Sequence, residues 1–135
     1  MQAFAQKFMD QMDKDEIKYT EVDDTTLKIS FNGDNMKTVT VYAFFEEDGD
    51  PFVQFRCWEI ESFKNNEEAA LAACNALNLQ FRWVKFFLDK DKDAVATLDA
   101  ALDEDTAGEE CCEHMMRFVN ILDDAYPQLA KARWA

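Results

Sequence analysis

Glycine is scarce in this 135-residue chain: Gly33, Gly49 and Gly108 are the only three, and no two are neighbours. A loop that cradles phosphate with backbone N–H groups needs closely spaced glycines, so the Gly-rich nucleotide-binding templates are excluded. Serine is scarcer still. Ser30 and Ser62 are the only two, and neither lies in a Gly-x-Ser-x-Gly elbow. A single histidine, His114, leaves no second imidazole for a zinc set. No uncharged apolar run approaches the length of a membrane span. The N-terminal stretch MQAFAQKFMDQMDKDE lacks the basic start and apolar core of a signal peptide. These absences read as a cytoplasmic, non-enzymatic protein with no catalytic group, no metal and no cofactor.

Positive charge is also short. Lys and Arg number 14 against 28 Asp and Glu, a formal net charge of −14. Such a surface repels phosphate backbones and anionic bilayers, so the expected partner is a protein, not nucleic acid or membrane. The four cysteines, Cys57, Cys74, Cys111 and Cys112, form no Cys-x-x-Cys pair and no disulfide framework. They read as reduced thiols, mostly buried as small hydrophobes.

Apolar residues are plentiful: 48% of the chain, including 12 Phe and 3 Trp. That is enough for one core in one domain spanning residues 1–135. Phe4, Ala5, Phe8, Met9 and Met12 recur at helical spacing and predict an amphipathic helix ending near Glu16. TLKISF and TVTVYAFF alternate as strands around the turn NGDN, and FVQFRCWEI pairs back through a hairpin turn at Asp48-Gly49. The period then changes. NNEEAALAACNALN is a helix, with Asn65 and Glu68 as a capping box. FRWVKFFL and AVATLDAAL read as two more strands. A long helix follows, with Thr106 and Glu109 as a second capping box and Pro127 expected to kink or break it near Tyr126. The expected fold is α+β: an antiparallel sheet of five or six strands with helices packed on it, in the order α-β-β-β-(β)-α-β-β-α.

The stretch NALNLQFRWVKFFLDKDKDAVATLDAAL and the ending YPQLAKARW, together with the YTEVDD strand before them, resemble the YbjN family of bacteria, also labelled sensory transduction regulators. The resemblance covers most of the chain. It implies the fold of type III secretion chaperones, which are small, acidic, dimeric α+β proteins, and it supplies no catalytic residue.

Asp89, Asp91 and Asp93 are spaced like the start of a calcium loop. Counting from Asp89, however, the sixth and twelfth positions are Ala94 and Ala100, where such a loop needs Gly and Glu. A solvated hairpin turn is the better reading. Cys111 and His114 share a helix face but lack further ligands for zinc. Asn75 and Asn78, at i and i+3 near the end of the second helix, serve either local backbone bonds or a polar contact at a subunit interface, the former being favoured.

The least expected feature is aromatic. Strand alternation puts Val39, Val41, Phe45, Val53, Phe55, Val84, Phe86 and Leu88 on the face that meets the helices. It puts Tyr42, Phe44, Trp58, Trp83 and Phe87 on the other, where a half-solvated sheet is normally polar. That second face is either an interaction surface or is covered by the third helix or by a register shift. Together with the resemblance, it leads to the expectation of a chaperone-like or regulatory protein-interaction module. The expected assembly is a homodimer with its interface at that face or the second helix, anchored by Trp83. The alternative is a small-molecule sensor with an aromatic-lined pocket.

Overall fold

The computed structural model describes residues 1–135. Helix α1 (Ala3–Lys14) is followed by strands β1 (Thr20–Asp23), β2 (Thr26–Asn32), β3 (Thr38–Phe45) and β4 (Phe52–Cys57). Helix α2 (Glu67–Gln80), strands β5 (Lys85–Leu88) and β6 (Ala94–Ala101), and helix α3 (Ala107–Arg133) complete the chain. All six strands form one sheet in the order β1-β2-β3-β4-β6-β5, every pair antiparallel. The expected class and element order therefore hold.

The period-2 pattern decides which face is covered. Along β3, Val39, Val41, Ala43 and Phe45 are buried while Thr38, Thr40, Tyr42 and Phe44 are not. Val53 and Phe55 of β4, and Ala96 and Leu98 of β6, continue the same inner face. All three helices pack on that side. Phe8 of α1 meets Phe55 edge-on at 5.9 Å, and Phe118 of α3 lies 6.3 Å from the same ring. Concentrating aromatics there removes much apolar area from water, about 25 cal/mol for each Å².

Helix ends differ from the capping pattern read in the sequence. Gln2 caps α1, its side-chain oxygen accepting the N–H groups of Phe4 and Ala5. The helix stops at Lys14, and Glu16 turns the chain with φ 59°. The cap of α2 is Asn66 rather than Asn65. Its side chain donates to the Arg133 carbonyl at the end of α3, so tertiary contact outcompetes the local box. Thr106 stands at the N-cap position of α3 but its side chain accepts no helical N–H; the hydroxyl donates to Glu110 instead, one residue beyond the expected Glu109. Glu110 also accepts the Asp103 N–H.

Pro127 does not end α3, contrary to the sequence reading; the helix runs through it to Arg133. Proline has no N–H for the carbonyl one turn earlier, that of Asp123. The side-chain amide of Asn35, in the β2–β3 loop, donates to that carbonyl at 3.0 Å. The missing helical bond is thus replaced from another part of the chain.

Candidate interaction surface

The face of the sheet away from the helices carries an aromatic cluster. Tyr42 and Phe44, two residues apart on β3, stack with ring centroids 6.3 Å apart. Trp58, just past β4, meets both edge-on, at 4.9 and 5.6 Å. The rings hold one another in offset and T-shaped geometry, which suits their quadrupoles. Arg56 of β4 extends between the indole of Trp58 and the ring of Phe87, 5.5 and 6.0 Å from their centroids. Lys85 lies 5.8 Å from the Phe87 ring. Four of the expected aromatics, Tyr42, Phe44, Trp58 and Phe87, therefore share one face. Helix α3 does not cover it, because α3 packs on the other side.

Trp83 is the exception. Alternation assumed an extended chain through FRWVKFFL, but β5 begins only at Lys85 and Trp83 has φ 75°. The left-handed turn redirects the ring towards α3. There the Arg117 guanidinium sits 4.5 Å from the ring centroid and His114 lies 5.9 Å away. Trp83 is 58% exposed and lies apart from the other four aromatics, against α3. Burial, followed by the adjacent Arg117, holds the His114 imidazolium pKa below its ordinary value.

Asn78 and Asn75 have different fates. Asn78 donates to the Phe86 carbonyl at 2.9 Å and accepts the Phe86 N–H at 2.8 Å. Its amide thus imitates a neighbouring strand at the outer edge of β5, where pairing would otherwise be open. Asn75 faces outward from α2. Leu71, 52% exposed, and Leu79, 82% exposed, are also uncovered, while Ala70, Cys74 and Leu77 are buried on the opposite side. Helix α2 is therefore apolar on both sides, a pattern ordinarily found where a helix is covered all round.

The acidic hairpin is a turn. The Asp89 carboxylate accepts the N–H groups of Asp91 and Asp93, and Lys92 takes φ 65°. No three His, Cys, Asp or Glu side chains are gathered where one ion would be held. Burial pushes the thiols up, Cys57 to about 12 and Cys112 to about 11, with Cys74 and Cys111 also raised. Raised thiols are poor nucleophiles and poor metal ligands at neutral pH. A hollow of about 1030 Å³ lies at one end of the sheet between Tyr42, Trp58 and Tyr126. Asp89, Asp91, Asp93, Glu59, Lys37 and Lys90 also line it, so it is charged rather than an aromatic pocket. No helix is long and apolar enough to cross a membrane.

Comparison with known proteins gives a family and a fold. The model of the YbjN family, described as "Putative bacterial sensory transduction regulator", matches residues 9–131. No curated protein matches the sequence. Among solved structures, the heterodimeric complex ExoU–SpcU from the type III secretion system of Pseudomonas aeruginosa contains a similar chain. The TM-score is 0.59 at 14% identity, covering 91% of this chain and 94% of that one. The Yersinia pestis type III secretion chaperone SycH in complex with a fragment of YscM2 gives 0.56 at 11% identity, with 88% and 96% covered. The HopA1–SchA chaperone–effector complex gives 0.54 at 15%, with 89% and 93% covered. At these identities the likeness is one of fold. By the extent of the family match, the chain belongs to the YbjN family and carries the fold of type III secretion chaperones.

Proposed function

We propose that this protein is a non-enzymatic, cytoplasmic, chaperone-like module that binds another polypeptide and works as a homodimer. The observation that carries this reading is the uncovered face holding Tyr42, Phe44, Trp58 and Phe87, in a fold shared with chaperones solved in complex with protein. Large aromatics left on a sheet face support an interaction surface. The homodimer rests on α2, where Leu71, Ala72, Asn75, Ala76 and Leu79 form an uncovered outer side. A second copy packing there would bury these residues by two-fold symmetry, the commonest closure of soluble oligomers. Trp83, at the end of α2, lies at the rim of that contact.

Two measurements test the reading. Light scattering across the micromolar range should give twice the chain mass, and Leu79→Glu should give the monomer while leaving circular dichroism unchanged. A monomer at every concentration overturns the homodimer. For the function, the tagged protein is purified from its native cell and each co-purifying polypeptide is produced with and without it. A polypeptide that stays soluble only in its presence supports the chaperone-like role. A preparation with a retained small molecule and no polypeptide would transfer the case to the sensor alternative.

A further inference from the structure

The uncovered sheet face is out of keeping with the rest of the surface in charge. In a chain of net charge −14, the outward positions of β2 to β6 hold Lys28, Arg56 and Lys85 against a single carboxylate, Asp99. Gln54 already donates to Asp99 at 2.8 Å. Arg56 and Lys85 flank Thr97 in one cross-strand row, Arg56 opposite it on β4 and Lys85 opposite it on β5. Neither cation has an ion-pair partner. Thr97 is 2% exposed, and its Oγ1 is the one buried side-chain polar atom in the protein without a hydrogen bond. Arg56 Nε donates only to the Gln54 side-chain oxygen, at 3.2 Å. An orphaned buried hydroxyl is costly, so its retention between two cations without ion-pair partners asks for a partner that is absent from the isolated chain.

We propose that the Arg56–Thr97–Lys85 row is a carboxylate-reading site for an acidic side chain of an extended partner polypeptide. This proposal rests on the protein-binding reading above and specifies its chemistry. Arg56 offers a planar fork suited to a carboxylate, and the Thr97 hydroxyl supplies a third donor once the two flexible arms turn outward to the ligand. Trp58 and Phe87, which carry the Arg56 guanidinium in the free protein, become free to receive the apolar side chains beside the acidic one. Alternating side chains of an extended segment point to one side, so an acidic-apolar sequence spaced by two fits the sheet. The negative charge of the remaining surface does not prevent this. Asp99, the one carboxylate on the face, is already held by Gln54; more distant charges are largely screened at physiological ionic strength, whereas the two cations would lie in contact with the ligand carboxylate. Three cations are too few to track a phosphate backbone, which disfavours a single-stranded nucleic acid on the same aromatics.

The test uses three labelled dodecapeptides with the repeats Glu-Leu-Ser, Gln-Leu-Ser and Lys-Leu-Ser, followed by fluorescence anisotropy against the full chain. The acidic peptide should bind at least ten-fold more tightly than the neutral one, and the basic peptide weakest of the three. Arg56→Gln with Lys85→Gln should abolish the preference for Glu. Thr97→Val separates this role from a structural one: removing the orphaned hydroxyl should raise the melting temperature while weakening the acidic peptide several-fold. Equal binding of the acidic and neutral peptides, or unchanged acidic binding in the double variant, overturns the proposal, as does tighter binding of a labelled oligouridylate. A native polypeptide that still binds the double variant at full strength would overturn the carboxylate site and leave the protein-binding function standing.

Discussion

Asn35 and Asp123 bind each other in both directions. The Asp123 carboxylate accepts the Asn35 backbone N–H at 2.9 Å, and the Asn35 side-chain amide donates to the Asp123 carbonyl at 3.0 Å. The same carboxylate accepts the N–H groups of Asp34 and Met36, so one side chain organises the whole β2–β3 turn against α3. Because these bonds favour the ionised form, the Asp123 pKa lies below its ordinary value.

Asp123→Asn should destabilise the protein by about 1 kcal/mol, since water replaces part of what the exposed N–H groups lose. Its pH dependence has a definite sign. A lowered folded pKa contributes stability that is fully present above the unfolded value of 3.8 and disappears as pH falls through the lower folded value. Urea midpoints from pH 6 down to pH 2 should therefore fall less steeply for Asp123→Asn than for the wild type. Identical acid limbs would show that the carboxylate does not hold the turn.

Gly33→Ala tests the same turn by sterics. An added Cβ would clash with Asp123 Oδ1 and with the Met36 carbonyl oxygen, and the second is backbone that cannot swing away. A loss of roughly 1–3 kcal/mol is expected, as for other overpacked sites. Thermal unfolding reads it directly.

Pro127 and Asn35 should be energetically coupled. In Pro127→Ala the Asp123 carbonyl regains a helical donor, so Asn35→Ala should cost less there than in the wild type. A double-mutant cycle should return a coupling of about 0.5–1 kcal/mol. A coupling of zero would mean that the Asn35 amide does not compensate for the proline.

Trp83 occupies a left-handed turn, which costs a non-glycine residue about 1–2 kcal/mol. Trp83→Gly relieves that strain and Trp83→Ala does not, although both remove the ring from Arg117. The glycine variant should therefore be the more stable of the two in chemical denaturation, the reverse of the order expected at a position with negative φ.

The thiols should label in a fixed order. All four thiols are pushed up, but Cys57, Cys74 and Cys111 are buried whereas Cys112 is only half-buried. With a neutral thiol reagent on the native protein, Cys112 should react first, and still more slowly than a free thiol. Fast labelling of Cys111 would require an opening of α3 from the core.

The sequence by itself determined the class, the strand and helix order, and the two faces of the central strands. Period-2 alternation survives wherever the chain is truly extended: Tyr42 and Phe44 were legible as outward, and Val41 and Phe55 as inward. The acidic hairpin was legible too, because Asp89 bonds only to its own neighbours. Trp83 was misplaced because alternation presumes extended backbone, and a single residue at φ 75° reverses the direction of the side chain. The orphaned hydroxyl of Thr97 was invisible for a different reason. Its burial depends on Arg56 and Lys85 arriving from two other strands, and β6 lies between them only because β5 takes the sheet edge. Pro127 looked like a helix stop because the rule for proline counts local bonds. The bond that matters comes from Asn35, most of the chain away, and only the tertiary structure brings the two together.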